Sequence, residues 1–150
     1  RIPATVMIIP YSPPYSSEGK TNPKTDAESI TPAAKDRIIS ENLCERFLKR
    51  NPTTSIVAVD ENRIIGTILC GHDGRRACFY HVCVKEEFRK RGIAKELVEA
   101  CIKALKEEQI NKVTIVAFKT NENGNRFWKS LGWELRDDLN SYDFSFLFLN

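Results

Sequence analysis

Histidine and methionine are scarce in this chain of 150 residues, with two of the first and one of the second, and its five cysteines include no Cys-x-x-Cys pair. Neither His72 nor His81 sits near a cysteine at zinc-finger spacing, so no metal site is expected. The thiols, Cys44, Cys70, Cys78, Cys83 and Cys101, are odd in number and lie mostly in apolar segments. They argue against a disulfide framework and predict buried free thiols in a reducing, cytoplasmic compartment. No apolar run approaches the roughly 20 residues that span a bilayer, so no membrane partner is expected. Net charge is only +3, with the basic cluster confined to residues 85–95, and general nucleic-acid binding is not expected either. What remains is an ordinary balance, 41% hydrophobic and 29% charged, enough for one domain with a substantial core.

The chain changes character near Thr31. Residues 1–34 mix Pro3, Pro10, Pro13, Pro14, Pro23 and Pro32 with Ser, Thr and Asn, which opposes regular structure, and only residues 4–9 (ATVMII) read as a strand. Thr31 can cap a helix with Pro32 at its first position. Ile38, Ile39, Leu43, Phe47 and Leu48 then supply an apolar face as far as Arg50. Strands follow at residues 55–59 and 63–70, joined as a hairpin by the turn at 60–62. A turn carrying Asp73-Gly74 leads into a third strand at 77–84, and its His72, Arg75 and Arg76 read as solvated or structural. A long helix, a strand at 112–118, another helix and a closing strand at 142–149 complete the order. The fold class is α/β, a sandwich around one mixed sheet.

The junction after residues 77–84 (ACFYHVCV) carries the clearest chemical signal. An aromatic and β-branched strand runs into FRKRGIAKEL at 88–97, where Ile93, Leu97, Ala100, Cys101, Ala104 and Leu105 recur at helical spacing. The first amides of a helix have no internal partners and, with the macrodipole, form an anion site. Arg89, Lys90, Arg91 and Lys95 add positive charge, and Gly92 lets backbone approach a bulky anion. The plainer alternative is a basic helix start with a glycine that serves only the turn.

The spacing Arg89-x-x-Gly92-x-Ala94 resembles the acyl-CoA pyrophosphate loop of the GNAT superfamily of N-acetyltransferases, whose pattern is Arg or Gln, x, x, Gly, x, Gly or Ala. Other phosphate loops fit less well, since neither GxxxxGK with Ser or Thr nor GxGxxG with a later acid is present. Residues 120–135 (TNENGNRFWKSLGWEL) resemble the distal motif of the same superfamily in Asn121, Gly124, Phe127 with Trp128, and Gly132 with Trp133. The resemblance covers residues 35–150, while 1–34 depart from it. It implies a small single-domain protein with a GNAT-like α/β sandwich, its central sheet mixed, mostly antiparallel and twisted, flanked by helices.

The resemblance also implies acetyl-CoA as cofactor and an amine as acceptor: a small molecule, a polyamine, or a protein lysine or N-terminus. Cofactor contacts would come from the backbone of Val82, Cys83 and Val84, from Arg89, Lys90, Arg91, Gly92, Ile93, Ala94 and Lys95, and from Asn121, Gly124, Phe127 and Trp128. The Val84 amide is the implied oxyanion donor. An amine near pKa 10.4 must lose a proton before attack. At the strand position where several relatives carry Glu or His stands Tyr80, with His81 beside it, and both are candidate bases. Strand alternation puts the two on opposite faces, which leaves His81 either a base or a core residue. Trp128 occupies the place where many relatives carry a tyrosine acid. Indole is a donor but not a useful acid, so Trp128 is read as covering the sulfur, with water or Tyr142 as substitute acids. Cys83 is read as packing, against a covalent acyl-cysteine alternative. A non-catalytic acyl-CoA-binding sensor is the alternative function. The protein is expected to be a monomer or homodimer.

Overall fold

The computed structural model describes residues 7–10 and 41–146. The chain divides into two units, Arg1–Val116 and Ala117–Asn150. The boundary expected at residues 34/35 lies outside the described residues, as does the start of the first helix at residues 31–40.

The first unit is built on a five-stranded sheet in sequence order, β1 (Met7–Pro10), β2 (Ile56–Asp60), β3 (Arg63–His72), β4 (Ala77–Val84) and β5 (Val113–Ile115). Three junctions are antiparallel and the last is parallel, as a strand return through a helical crossover requires. The β2–β3 hairpin closes on Glu61 and Asn62, both at positive φ, which matches the right-handed twist of the flanking strands. Between β3 and β4, Asp73 Oδ1 accepts from the amides of Arg75 at 2.8 Å and Arg76 at 2.9 Å.

Helix α1 (Glu41–Arg50) and helix α2 (Ile93–Glu107) flank this sheet. Ile93, Leu97, Cys101 and Leu105 follow the expected helical spacing, and all four are buried together with Val98. From α1, Leu48 packs on Val57, Val59 and Ile64, and the Phe47 ring meets Tyr80 edge-on at 5.6 Å. Every residue of β2 is buried, which explains why it reads as a continuous apolar run. Buried Asn51 ends α1, its Nδ2 donating to Phe47 O at 3.1 Å and its Oδ1 accepting from the His72 amide at 3.0 Å.

Cys70 and Cys101 are free thiols buried among hydrogen bonds: Thr54 Oγ1 donates to Cys70 O at 2.7 Å and Cys101 Sγ donates to Thr54 O at 3.0 Å. The hydrogen bond with Cys70, then burial, pushes the Cys101 thiol up, so it stays protonated and inert.

The second unit holds helix α3 (Glu122–Ser130), capped by Asn121. Gly132 ends it at φ +80°. Two expectations are corrected. The strand expected at 112–118 forms only over Val113–Ile115, with Val116 and Phe118 exposed. The closing strand expected at 142–149 is absent over 142–146, where Tyr142, Phe144 and Phe146 are exposed, and residues 147–150 lie outside the described residues. Alternation confers strand propensity, but a strand forms only against a partner edge, and residues 142–146 have none assigned.

Candidate functional site

Strand β4 is paired on both sides only in its first half. Its parallel pairing with β5 ends at Phe79↔Ile115, so beyond Phe79 one edge of β4 has no strand partner among the described residues. On the other edge the register slips. Leu69 faces Tyr80 and Thr67 faces Cys83, so His81 and Val82 together stand opposite Ile68. This bulge puts His81 at φ +48°, a left-handed conformation in the middle of a strand. The extra residue falls at His81 and Val82, so it is between these two, and not between Tyr80 and His81, that simple alternation is interrupted.

Sequence reading overlooked Thr67, which pins the bulge. Its buried hydroxyl donates to His81 O at 3.4 Å and lies 3.2 Å from Cys83 Sγ. The signal was a single hydroxyl inside the otherwise apolar RIIGTILC, since a buried hydroxyl needs a partner.

Past the bulge, the Lys85 amide donates to Ile65 O at 2.8 Å, toward β3. Successive amides alternate in direction, so the Val84 amide faces the edge that β5 leaves open. The Val84 carbonyl accepts from Arg89 Nε at 2.9 Å. Tyr80 is partly exposed, and burial, reinforced by the Cys78 thiol, pushes its phenol above the ordinary range.

The chain then enters a 3-10 turn, Glu86–Phe88, and reaches α2 through Lys90 at φ +58° and Gly92 at φ +85°. Gly92 is the N-cap and offers no capping side chain, and the first bond into the helix runs from the Glu96 amide to Gly92 O at 3.1 Å. The amides of Ile93, Ala94 and Lys95 precede it and have no carbonyl of their own helix to meet, the kind of helix start that suits an anion. Two of the four basic side chains expected around the anion also hold the loop. Arg89 bonds Val84, and Arg91 donates to Glu87 O at 2.8 Å with its guanidinium 5.3 Å from the Phe88 ring centre. Lys95 lies 3.7 Å from Glu99, in an exposed pair.

The remaining expected residues belong to the second unit. Asn121 Oδ1 accepts from the Gly124 amide at 3.0 Å, and a Cβ at Gly124 would meet Asn121 Nδ2 at 2.5 Å, so the glycine serves the cap. Asn125, also overlooked in the sequence, donates from Nδ2 to Phe118 O at 2.9 Å and to Asn121 O at 2.8 Å. Trp128 is the buried residue of α3, with Phe127 at 5.0 Å and Trp133 at 4.7 Å between ring centres.

Among the described residues no group of three or more His, Cys, Asp or Glu could hold a metal, and no helix is long and apolar enough to cross a membrane.

Residues 20–133 match the family described as the acetyltransferase (GNAT) family. An acetyltransferase of Sodalis glossinidius is 28% identical over 95 residues, 63% of this chain and 67% of that protein. One of Photorhabdus laumondii is 35% identical over 78 residues, 52% of this chain and 54% of that protein, so the match spans about half of its length. The crystal structure of a GNAT family acetyltransferase from Elizabethkingia anophelis with acetyl-CoA bound superposes with a TM-score of 0.66 at 19% identity, over 90% of this chain and 80% of that one, a likeness of fold.

Proposed function

The chain belongs to the GNAT family of acetyltransferases, and from that premise we propose that it transfers acetyl from acetyl-CoA to a primary amine by direct attack in a ternary complex. The observation that carries this reading is the sequence of features along one strand: the edge of β4 opens after Phe79, the bulge follows at His81, and the left-handed Gly92 cradle closes the same segment. An extended cofactor arm bearing amides fits an open strand edge, and a pyrophosphate fits the amides of Ile93 to Lys95. The residues therefore suit acetyl-CoA, which would supply a thioester carbon for the amine and a thiol as leaving group.

Each role follows from the local chemistry. The Val84 amide, directed to the open edge, suits an oxyanion donor, a contribution of about 10²- to 10³-fold. With its phenol pushed up, Tyr80 stays neutral in the working range and serves as a hydrogen-bonding partner of the amine. His81 at the bulge is the residue we assign to proton removal, as a group that titrates near neutrality when unperturbed. Cys83, buried beside the Thr67 hydroxyl, packs and is not an acyl carrier. Trp128 packs within an aromatic cluster with Phe127 and Trp133 and supplies no proton, so water takes the role of acid.

One observation favours a second reading. Trp128 replaces an acid with a packed indole, as a CoA-binding sensor with no chemistry would tolerate. Thermal stabilisation by acetyl-CoA, run beside a free-thiol assay over pooled amines, separates the two. Stabilisation with amine-dependent thiol release is expected. Stabilisation with no release from any amine class favours the sensor, and no stabilisation refutes the cradle itself.

A further inference from the structure

The sheet face that carries Tyr80 also carries Cys78 and, on β5, Thr114, and these line an open groove of about 880 Å³ beside the last turns of α1. Its charged rim is lopsided. Arg46 and Arg50 come from α1 and Arg76 from the turn just before β4, against the single carboxylate of Asp73. That carboxylate is already occupied: it accepts from the amides of Arg75 and Arg76 and pairs with the Arg75 guanidinium at 3.2 Å. Glu45, the nearest acid on α1, is held by Lys49 at 2.7 Å. Arg46 and Arg50 stand at i and i+4, where like charges repel. Among the described residues none of the three arginines has an ion-pair partner. Three guanidiniums gathered on one rim whose single carboxylate is already engaged form a site that suits a carboxylate or a phosphate, which their forked donors bind in bidentate fashion.

The groove ends at Tyr80, the last residue before the bulge and the open edge. From Arg76 to Tyr80 the strand advances four residues, about 13 Å at the usual rise of an extended chain. Resting on the transferase reading above, we infer that the acceptor is a small amine carrying a carboxylate or phosphate on the order of 10 Å from its nitrogen. The amine lies at Tyr80 and the anionic end lies among Arg46, Arg50 and Arg76. Polyamines, with a second cation at that distance, are excluded by the same rim.

Matched pairs test this: 6-aminohexanoate against 1,6-diaminohexane for the carboxylate, and glucosamine 6-phosphate against glucosamine for the phosphate. Binding to the intact protein is followed by calorimetry and transfer by release of free CoA. At least one anionic member should bind about tenfold or more tighter than its partner, the gain expected of one charge-assisted contact. The Arg46→Gln/Arg76→Gln variant should lose that margin while keeping its stabilisation by acetyl-CoA. The inference is overturned if the diamine and glucosamine bind as well as the anions, if neither anion binds at millimolar concentration, or if the variant keeps the margin. Anion binding that depends on the arginines, without CoA release from any amine, leaves the groove assignment standing and removes the transferase reading. Release from the diamine in preference to the acid does the reverse.

Discussion

Gly92 and Gly74 have nearly the same φ, +85° and +87°, and that coincidence allows the cradle to be isolated. An alanine at either position places a Cβ in the left-handed region, at a penalty of about 1 kcal/mol. At Gly74 the added Cβ has nothing within 4 Å, so strain is the whole effect there. Each variant should therefore unfold roughly 2–4 °C lower, as a chain of this size does per kcal/mol. Only at Gly92 does relief of the strain turn the amides of Ile93, Ala94 and Lys95 away from the anion. Loss of two charge-assisted bonds at about 1.5 kcal/mol each weakens acetyl-CoA by roughly 10²-fold. Titration of acetyl-CoA into both variants by calorimetry, with melting curves on the free proteins, reads the two effects separately. Equal affinities for Gly92→Ala and Gly74→Ala would refute the anion cradle, whatever the melting temperatures.

Three further outcomes are expected. Trp128→Phe should lower kcat by only a few fold, since an indole that packs contributes no proton; a loss of about 10²-fold or more would give it the role of an acid. Asn51→Ala removes two bonds from a buried site and leaves the His72 amide unmet, which should reduce urea stability by about 1–3 kcal/mol, and an unchanged midpoint contradicts its structural role. Hydrogen bonds from the amides of Arg76 and then Arg75 hold the Asp73 carboxyl down at about 2. A depressed folded-state pKa stabilises above the unfolded value of 3.8 and is lost as pH falls toward 2, so the turn should stay ordered at pH 4 and loosen below 3, as the carboxyl carbon shift in NMR will report.

Much of the site was legible because it depends on neighbours in sequence. A β-branched strand, a basic turn and a helix with apolar residues at i, i+4 and i+8 are local patterns, and Ile93, Leu97, Cys101 and Leu105 face inward as that spacing requires. Gly92 was legible for the same reason, since a helix N-cap that must admit an anion favours the residue without a side chain. Trp128 could be read as a packed aromatic on a helix, but its partners depend on a turn that brings Trp133 back over the helix end.

The sequence by itself determined the order of strands and helices from Ile56 to Glu107, the hairpin at Glu61-Asn62 and the helix start at Gly92, because each rests on propensity and spacing within a few residues. Tertiary structure alone decided where β5 leaves β4, that His81 falls in a bulge held by Thr67, and that Arg46 and Arg76 share one rim although 30 positions separate them in the chain. Pairing register and the gathering of like charges are long-range outcomes: they depend on which edges and faces meet, and no local pattern of residues encodes that meeting.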